Sequence, residues 1–326
     1  MTDSPGPLEL LEPITAYQRS ALIAAAVETG IADALAPAPR QVDAVARACG
    51  TDRRGTQALL SGLSAIGIAE RGRDGFRLTA LGAPLATDHP QSIASIVRKE
   101  WFFYRAWAEL PGAVRDGHAR IAPWRERLAE DPETSLEFLR ALDDLARLGG
   151  GELPSLAGPC QGSLLDVGGG AGSHSAALVE ANPGLAATVL DLPAVEPLVA
   201  ERNPGVGFVG GDLESERFGM PEGERWDAVL LANILHDHPP ERCARYVREA
   251  VSLLGPGGSL IVYEWVIDPD RDAPPAVALF TPMMLVENEG GFTWTDAEIA
   301  SWIRETGLVP EPVRRGQGPI AVIRAT

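Results

Sequence analysis

Lysine is almost missing: Lys99 is the only one in 326 residues. Basic charge is short overall, with 28 Lys and Arg against 45 Asp and Glu and a net charge of −17. Nucleic-acid affinity comes largely from neutralising phosphates with Lys and Arg, so this deficit argues against a polyanionic partner. Cysteine is scarce as well. Cys49, Cys160 and Cys243 are odd in number, far apart and without metal-ligand spacing. That excludes a disulfide framework and makes a reducing, cytoplasmic setting the expectation. No uncharged apolar run is long enough to cross a bilayer, and Met1–Pro7 has no basic stretch leading into an apolar one. Neither a membrane span nor a signal peptide is expected. Internal repeats and low-complexity segments are also lacking.

Glycine is plentiful, and its most telling cluster is Leu164–Leu165–Asp166–Val167–Gly168–Gly169–Gly170–Ala171–Gly172–Ser173. A short apolar run breaks into glycines and then enters a helical pattern through Leu178, which reads as strand, tight turn, helix. Glycine permits positive φ and lets a ligand approach the backbone. The free N–H groups opening the helix face whatever lies over the turn. Glycines at 168, 170 and 172, with Ser173 where a dinucleotide fingerprint needs glycine, separate this turn from G-x-G-x-x-G. Two further strand ends carry carboxylates. Asp191 closes Thr188–Asp191, where it can accept ribose hydroxyls, and Asp212 follows Val206–Gly211, where it suits an adenine amino group. A lone strand-end Asp is often a helix cap, but three in register after three strands point to a nucleoside site.

Around this turn the length predicts about two domains. Residues 1–14 are proline-rich and read as a loose arm. Helical spacing runs from Tyr17 to Leu35, then over Gln41–Cys49 and Arg54–Ile66. A hairpin turning on Asp74-Gly75 follows. This is a winged-helix order, and it raises DNA binding as a rival function. The helix that would enter a groove carries Leu59, Leu60, Leu63 and Ile66 and little basic charge beyond Arg53 and Arg54, so that rival is disfavoured. Trp101–Tyr104 and Trp107 lie in a helical stretch ending near Asp116-Gly117. A charged helix is expected over 125–148, and Gly149-Gly150-Gly151 is a natural boundary. Strands then alternate with helices near 163–167, 187–191, 206–210, 227–232 and 258–264, predicting a parallel sheet. Leu308–Pro310 and Pro319–Ile323 read as a closing hairpin with an antiparallel last strand.

The motifs LLDVGGGAG, VLDLP, GGDLE and ILHDHPPERC resemble the small-molecule O-methyltransferases of the caffeic acid and acetylserotonin type, over nearly the whole chain. The resemblance implies a Rossmann-like methyltransferase sheet of the class I kind, with an N-terminal, mainly helical, winged-helix-like dimerisation domain. It divides the chain into that domain (1–110), a helical linker contributing to the acceptor pocket (111–150) and a catalytic domain (151–326). It implies S-adenosylmethionine as cofactor, a small-molecule acceptor and a homodimer. Carried over by motif, Gly168 lies under the methionine moiety, with Gly170 beside it, Asp191 holds the ribose, and Asp212 with Leu213 holds the adenine. Asn233, ending the fourth strand, joins the cofactor set.

A hydroxyl is a poor nucleophile until deprotonated, and histidine titrates where that task needs it. By resemblance His236 is the general base and Glu264 the carboxylate that orients it. Trp101, Tyr104, Met284 and Asn288 are the expected acceptor contacts. Two positions depart from the family. His238 stands where tryptophan is usual, and Thr293 replaces a second carboxylate whose role passes to Glu287 or Glu289 if it is kept. An extended His236–Asp237–His238 would bring both imidazoles to one side and open a metal-assisted C-methylation of a 2-oxo acid. A chain that binds the cofactor but has lost transfer is a third reading. The expectation is hydroxyl methylation in secondary metabolism, on an aromatic or polyketide-like acceptor, with no metal, nucleic acid or membrane.

Overall fold

A computed structural model of the chain describes residues 6–148 and 151–326, so Gly149 and Gly150 of the expected boundary lie outside the described residues. The chain divides into two compact units, 1–105 and 106–326, and the segment 111–150 falls in the second.

In the first unit α1 (Leu11–Thr15), α2 (Tyr17–Glu28), α3 (Ile31–Leu35), α4 (Val42–Cys49) and α5 (Arg53–Ala65) precede a hairpin of β1 (Ala69–Gly72) and β2 (Gly75–Leu78). Then comes α6 (Ala94–Ala106). The single helix expected from Tyr17 to Leu35 is two, because Gly30, at φ +69°, turns the chain between them. Asp52 caps α5 by accepting the Gly55 N–H at 2.8 Å. The Asp74-Gly75 turn forms where the sequence puts it. Val27, Leu63, Leu85 and Val97 share one apolar cluster, and Ile31, Leu35, Leu60 and Phe76 another.

The second unit opens with α7 (Leu110–Asp116), α8 (Trp124–Glu130), α9 (Pro132–Leu148) and α10 (Glu152–Ala157). The one helix expected over 125–148 breaks at Asp131-Pro132. Proline suits the first turn of a helix and strains its interior, and Asp131 accepts the Thr134 N–H at 3.1 Å. There follow β3 (Ser163–Val167), α11 (Ser173–Ala181), β4 (Ala186–Asp191), α12 (Glu196–Arg202), β5 (Gly207–Gly210), β6 (Trp226–Ala232), α13 (Pro240–Ser252) and β7 (Leu254–Ile267). The unit closes with α14 (Pro275–Glu287), β8 (Trp294–Thr295), α15 (Asp296–Arg304), β9 (Arg314–Arg315) and β10 (Ile320–Ala325).

The main sheet runs β5-β4-β3-β6-β7-β10-β9, with β8 beside the end of β7. Strands β3 to β7 are parallel, and β10 runs antiparallel to β7. The closing hairpin forms as expected: Val309 and Glu311 donate to the Thr326 and Arg324 carbonyls at 3.0 and 2.7 Å, and the arm pairs again with β10 at Arg314–Arg315. Pro310, which has no N–H to give, bridges Ala325 between those two donors, where the ladder asks none of it.

Side chains alternate across the sheet. Leu165, Val229, Leu231 and Val262 bury on one face against Tyr246 and Val247 of α13 and Ile303 of α15. Leu164, Leu230 and Ile261 bury on the other against Leu178 and Leu198. With both faces apolar, polar chemistry is confined to strand ends. Strand order reverses between β3 and β6, where open α/β sheets bind their ligands. Among the described residues no helix is long and apolar enough to cross a membrane.

Candidate active site

The glycine turn leaves the end of β3 and is stapled to β4. The Gly168 N–H donates to the Leu190 carbonyl at 2.7 Å, and the Gly170 N–H to Asp191 Oδ2 at 2.9 Å. Gly168 has φ +69°, and a Cβ there would come within 2.5 Å of Ile234 Cδ1. The left-handed φ requires glycine, and a Cβ would also oblige the tip of Ile234 to move aside. Leu213 Cδ1 lies 3.7 Å from the same point, so the turn, Ile234 and Leu213 form one small cradle.

Asp191 accepts a second N–H, from Leu192 at 2.7 Å. Burial pushes its carboxyl up from the ordinary range, against the pull of those two amides. Asp212 Oδ1 accepts the Glu214 N–H at 2.9 Å and an Arg125 Nη2–H. Burial opposes them, yet these donors hold its carboxyl below the usual value. Asn233 ends β6 in a left-handed conformation, φ +56°, which asparagine tolerates better than most residues. Its Nδ2 lies 3.3 Å from His174 Nε2, while its buried Oδ1 has no partner among the described residues. Burial drives the His174 pKa down to about 4, so that imidazole is neutral and its Nε2 accepts. An unspent acceptor, a bare glycine cradle and two strand-end carboxylates fit a nucleoside cosubstrate carrying an ammonium group.

The next loop carries the expected base, His236. The sequence Leu235–Asp237 forms a 3₁₀ turn, placing His236 against the end of β7. His236 Nδ1 is 2.5 Å from Glu264 Oε1, both buried. Glu264 also accepts the backbone N–H of Leu235 (2.9 Å), of His236 (3.3 Å) and of Trp265 (2.7 Å). In the neutral imidazole that geometry keeps the proton on Nδ1 and leaves Nε2 to accept. Asp237 Oδ1 stands 3.4 Å from Nε2. Burial alone would lower the imidazole pKa, but Glu264 and Asp237 overcome it and raise it to about 9. Phe280 meets the ring edge-on at 5.1 Å and itself stacks on Trp265 at 4.3 Å.

The extended His236–Asp237–His238 arrangement is not what forms. The 3₁₀ turn sends the two rings to different neighbours, His238 meeting Tyr246 edge-on at 4.9 Å, with its pKa pulled down to about 4 by burial. Thr293 is fully buried and bonds Thr281 Oγ1 at 2.6 Å. Of the two expected substitutes, Glu289 turns outward to His118 Nδ1 (2.9 Å) and the Ala119 N–H (3.1 Å). Glu287 is buried against Arg127 at 3.2 Å and adds to the field that raises the His236 pKa. Asn288 donates from Nδ2 to Asp237 Oδ1 at 2.7 Å, and Met284 is buried one helical turn before it. Trp101 and Tyr104 stack on each other at 4.9 Å in α6 of the first unit.

Sequence reasoning missed Asp237 as a partner of Nε2, and also Arg125 and His174. The adjacency of His236 and Asp237 was no signal by itself, since successive side chains of a 3₁₀ turn point about 120° apart. Nothing local marked Arg125, which lies 87 residues from Asp212 in sequence.

Residues 107–309 match an O-methyltransferase domain. The chain is 30% identical to a 3-hydroxy-5-methyl-1-naphthoate 3-O-methyltransferase of Streptomyces sahachiroi, over 92% of this chain and 89% of that one. It is 30% identical to human acetylserotonin O-methyltransferase, with 84% of each chain covered. The solved structure of the human N-acetylserotonin enzyme in complex with SAM superposes with a TM-score of 0.85 at 26% identity, over 100% of this chain and 99% of that one. The strand order, the glycine cradle and these likenesses agree. The chain belongs to the O-methyltransferase family and is an S-adenosylmethionine-dependent enzyme of it.

Proposed function

We propose that His236 is the general base that takes the proton from a hydroxyl of a small aromatic or polyketide-like secondary metabolite. The observation that carries this reading is the buried His236–Glu264 contact at 2.5 Å, which leaves Nε2 as an acceptor at the end of the sheet. S-adenosylmethionine, when bound, supplies the electrophilic methyl group. Gly168 and Gly170 give its methionine end access to bare backbone, Asp191 has lone pairs left for ribose hydroxyls, Asp212 and Leu213 suit the adenine, and Asn233 Oδ1 suits a donor. The chain's own task is then alignment and proton removal. As Nε2 takes the proton, Glu264 and Asp237 stabilise the imidazolium, so Asp237 fills the part that Thr293 cannot. This favours retained transfer over a cofactor-binding chain without it.

Phe280 stacked on Trp265, together with Met284, makes an apolar wall suited to a flat ring, and Asn288 adds an amide for an acceptor oxygen. Relatives acting on a hydroxynaphthoate and in tetracenomycin synthesis support that acceptor class. We further propose a homodimer, supported by an exposed apolar stripe at Leu10, Leu11, Ile14 and Tyr17. Transfer of labelled methyl to a panel of hydroxynaphthoates and other phenols tests the base. His236→Ala is expected to lower kcat by about 10²- to 10⁴-fold. The dissociation constant for S-adenosylhomocysteine should stay within about twofold, because no residue assigned to cofactor binding is altered. Wild-type-like turnover would remove His236 from the role.

A further inference from the structure

Asp143 lies on α9, well before the glycine turn in sequence, yet its carboxylate is fully buried. Burying a carboxylate is costly unless donors surround it, and here there are four. Oδ2 accepts from Arg147 Nε at 2.9 Å and from Arg202 Nε at 2.6 Å. Oδ1 accepts the Ser173 hydroxyl and, at 3.3 Å, Asn203 Nδ2. Burial raises the carboxyl's pKa, but these donors more than reverse it, so the group stays charged.

Two of the four donors connect to the glycine turn. Ser173 is the first residue of α11, directly after Gly172. Asn203 Nδ2 is shared with the Ala171 carbonyl at 2.6 Å, and Asn203 Oδ1 is itself held by Arg147 Nη2 at 2.9 Å. The residues on either side of Gly172 are therefore tied to one anion, Ser173 directly and Ala171 through Asn203. The need for such a tie is physical. Gly168, Gly170 and Gly172 all sit at positive φ, and a run of glycines has many other conformations open to it. Ordering it at the moment of binding would cost conformational entropy for every residue fixed. A turn already held in shape avoids that loss and converts it into affinity.

We propose that Asp143 is a positioning residue for the cosubstrate, fixing Ser173 and, through Asn203, Ala171, and thereby setting the affinity of the glycine turn for S-adenosylmethionine. This rests on the reading that the turn holds that molecule. Calorimetric titration with S-adenosylhomocysteine tests it on the wild type, Asp143→Asn, Ser173→Ala and the double variant. Asp143→Asn is expected to weaken binding at least about tenfold and Ser173→Ala about fivefold, with the double variant no worse than Asp143→Asn because both cut one link. Glu201→Gln serves as control. It loses the Arg140 ion pair (2.9 Å) between α9 and α12 without touching the turn, and its affinity should not change.

If the variants lose thermal stability while their affinities match the wild type, Asp143 is structural only and the proposal falls. Equal weakening in Glu201→Gln would overturn it as well. Should Asp143→Asn not fold, Ser173→Ala decides alone, since it leaves the carboxylate and both arginines in place. A wild type that gives no heat refutes the cofactor site itself, a result separate from wild-type binding that the variants share.

Discussion

At the scale of single residues, the site is an arrangement of anions about one imidazole. Burial would make His236 a weak base, and Glu264 and Asp237 make it a strong one, with a pKa of about 9. A base so raised is protonated at neutral pH. The acceptor kcat/KM should therefore climb with pH and level off above about 9, the value for the free enzyme. Asp237→Asn removes one of the anions, so the rising limb should move toward acid by about one unit. A limb that stays in place would take Asp237 out of the proton's path. The same shift bears on stability, with its sign set by linkage. His236 binds its proton more tightly folded than unfolded, so its stabilising contribution is complete below the ordinary histidine pKa. It fades as pH rises through about 9.

At the scale of elements, the β3–α11 turn and the loop after β6 carry the proposed site, and they were legible to different degrees. Glycines at 168, 170 and 172 announced the turn, because few other sequences tolerate three left-handed residues so close together. The strands of the parallel sheet were readable because burial on both faces gives short apolar runs bounded by Asp and Gly. Breaks inside long helical patterns were harder. Gly30 and Pro132 each divide a run whose apolar spacing continues across the break, and spacing alone does not register a change of axis. Side-chain conformation at the site was least visible. Asp237 reaches Nε2 through a 3₁₀ turn, whereas residues before proline lean to extended shapes, and only His238, next to Pro239, obeys that lean. Gly168→Ala probes the turn directly. The left-handed φ and the approach to Ile234 should reduce S-adenosylhomocysteine affinity more than tenfold and destabilise the fold by about 1–2 kcal/mol. Titration and thermal unfolding read the two effects separately. Wild-type affinity in that variant would mean the cradle is not the cofactor's.

At the scale of the whole molecule, a net charge of −17 disfavours contact between charged surfaces of identical chains, so a homodimer needs an apolar seam. Leu11 and Ile14, 52% and 62% exposed, lie three residues apart on the N-terminal helix and offer one. Replacing both with glutamate should leave a folded monomer by light scattering, since neither side chain is buried. A dimer of undiminished mass would locate the contact elsewhere. Strand β7 joins the parallel part of the sheet to the antiparallel β10, and Glu264 sits on it opposite Ala321. There one anion receives three backbone N–H groups and the imidazole. Glutamine offers a single acceptor oxygen for those donors, and aspartate is a carbon short. A lineage that alters this position therefore loses its loop and its reactivity in the same step. Gradual divergence toward a feebler catalyst, or toward another trade altogether, has to begin at the neighbours, and descendants of this chain should keep the glutamate long after they have abandoned the histidine.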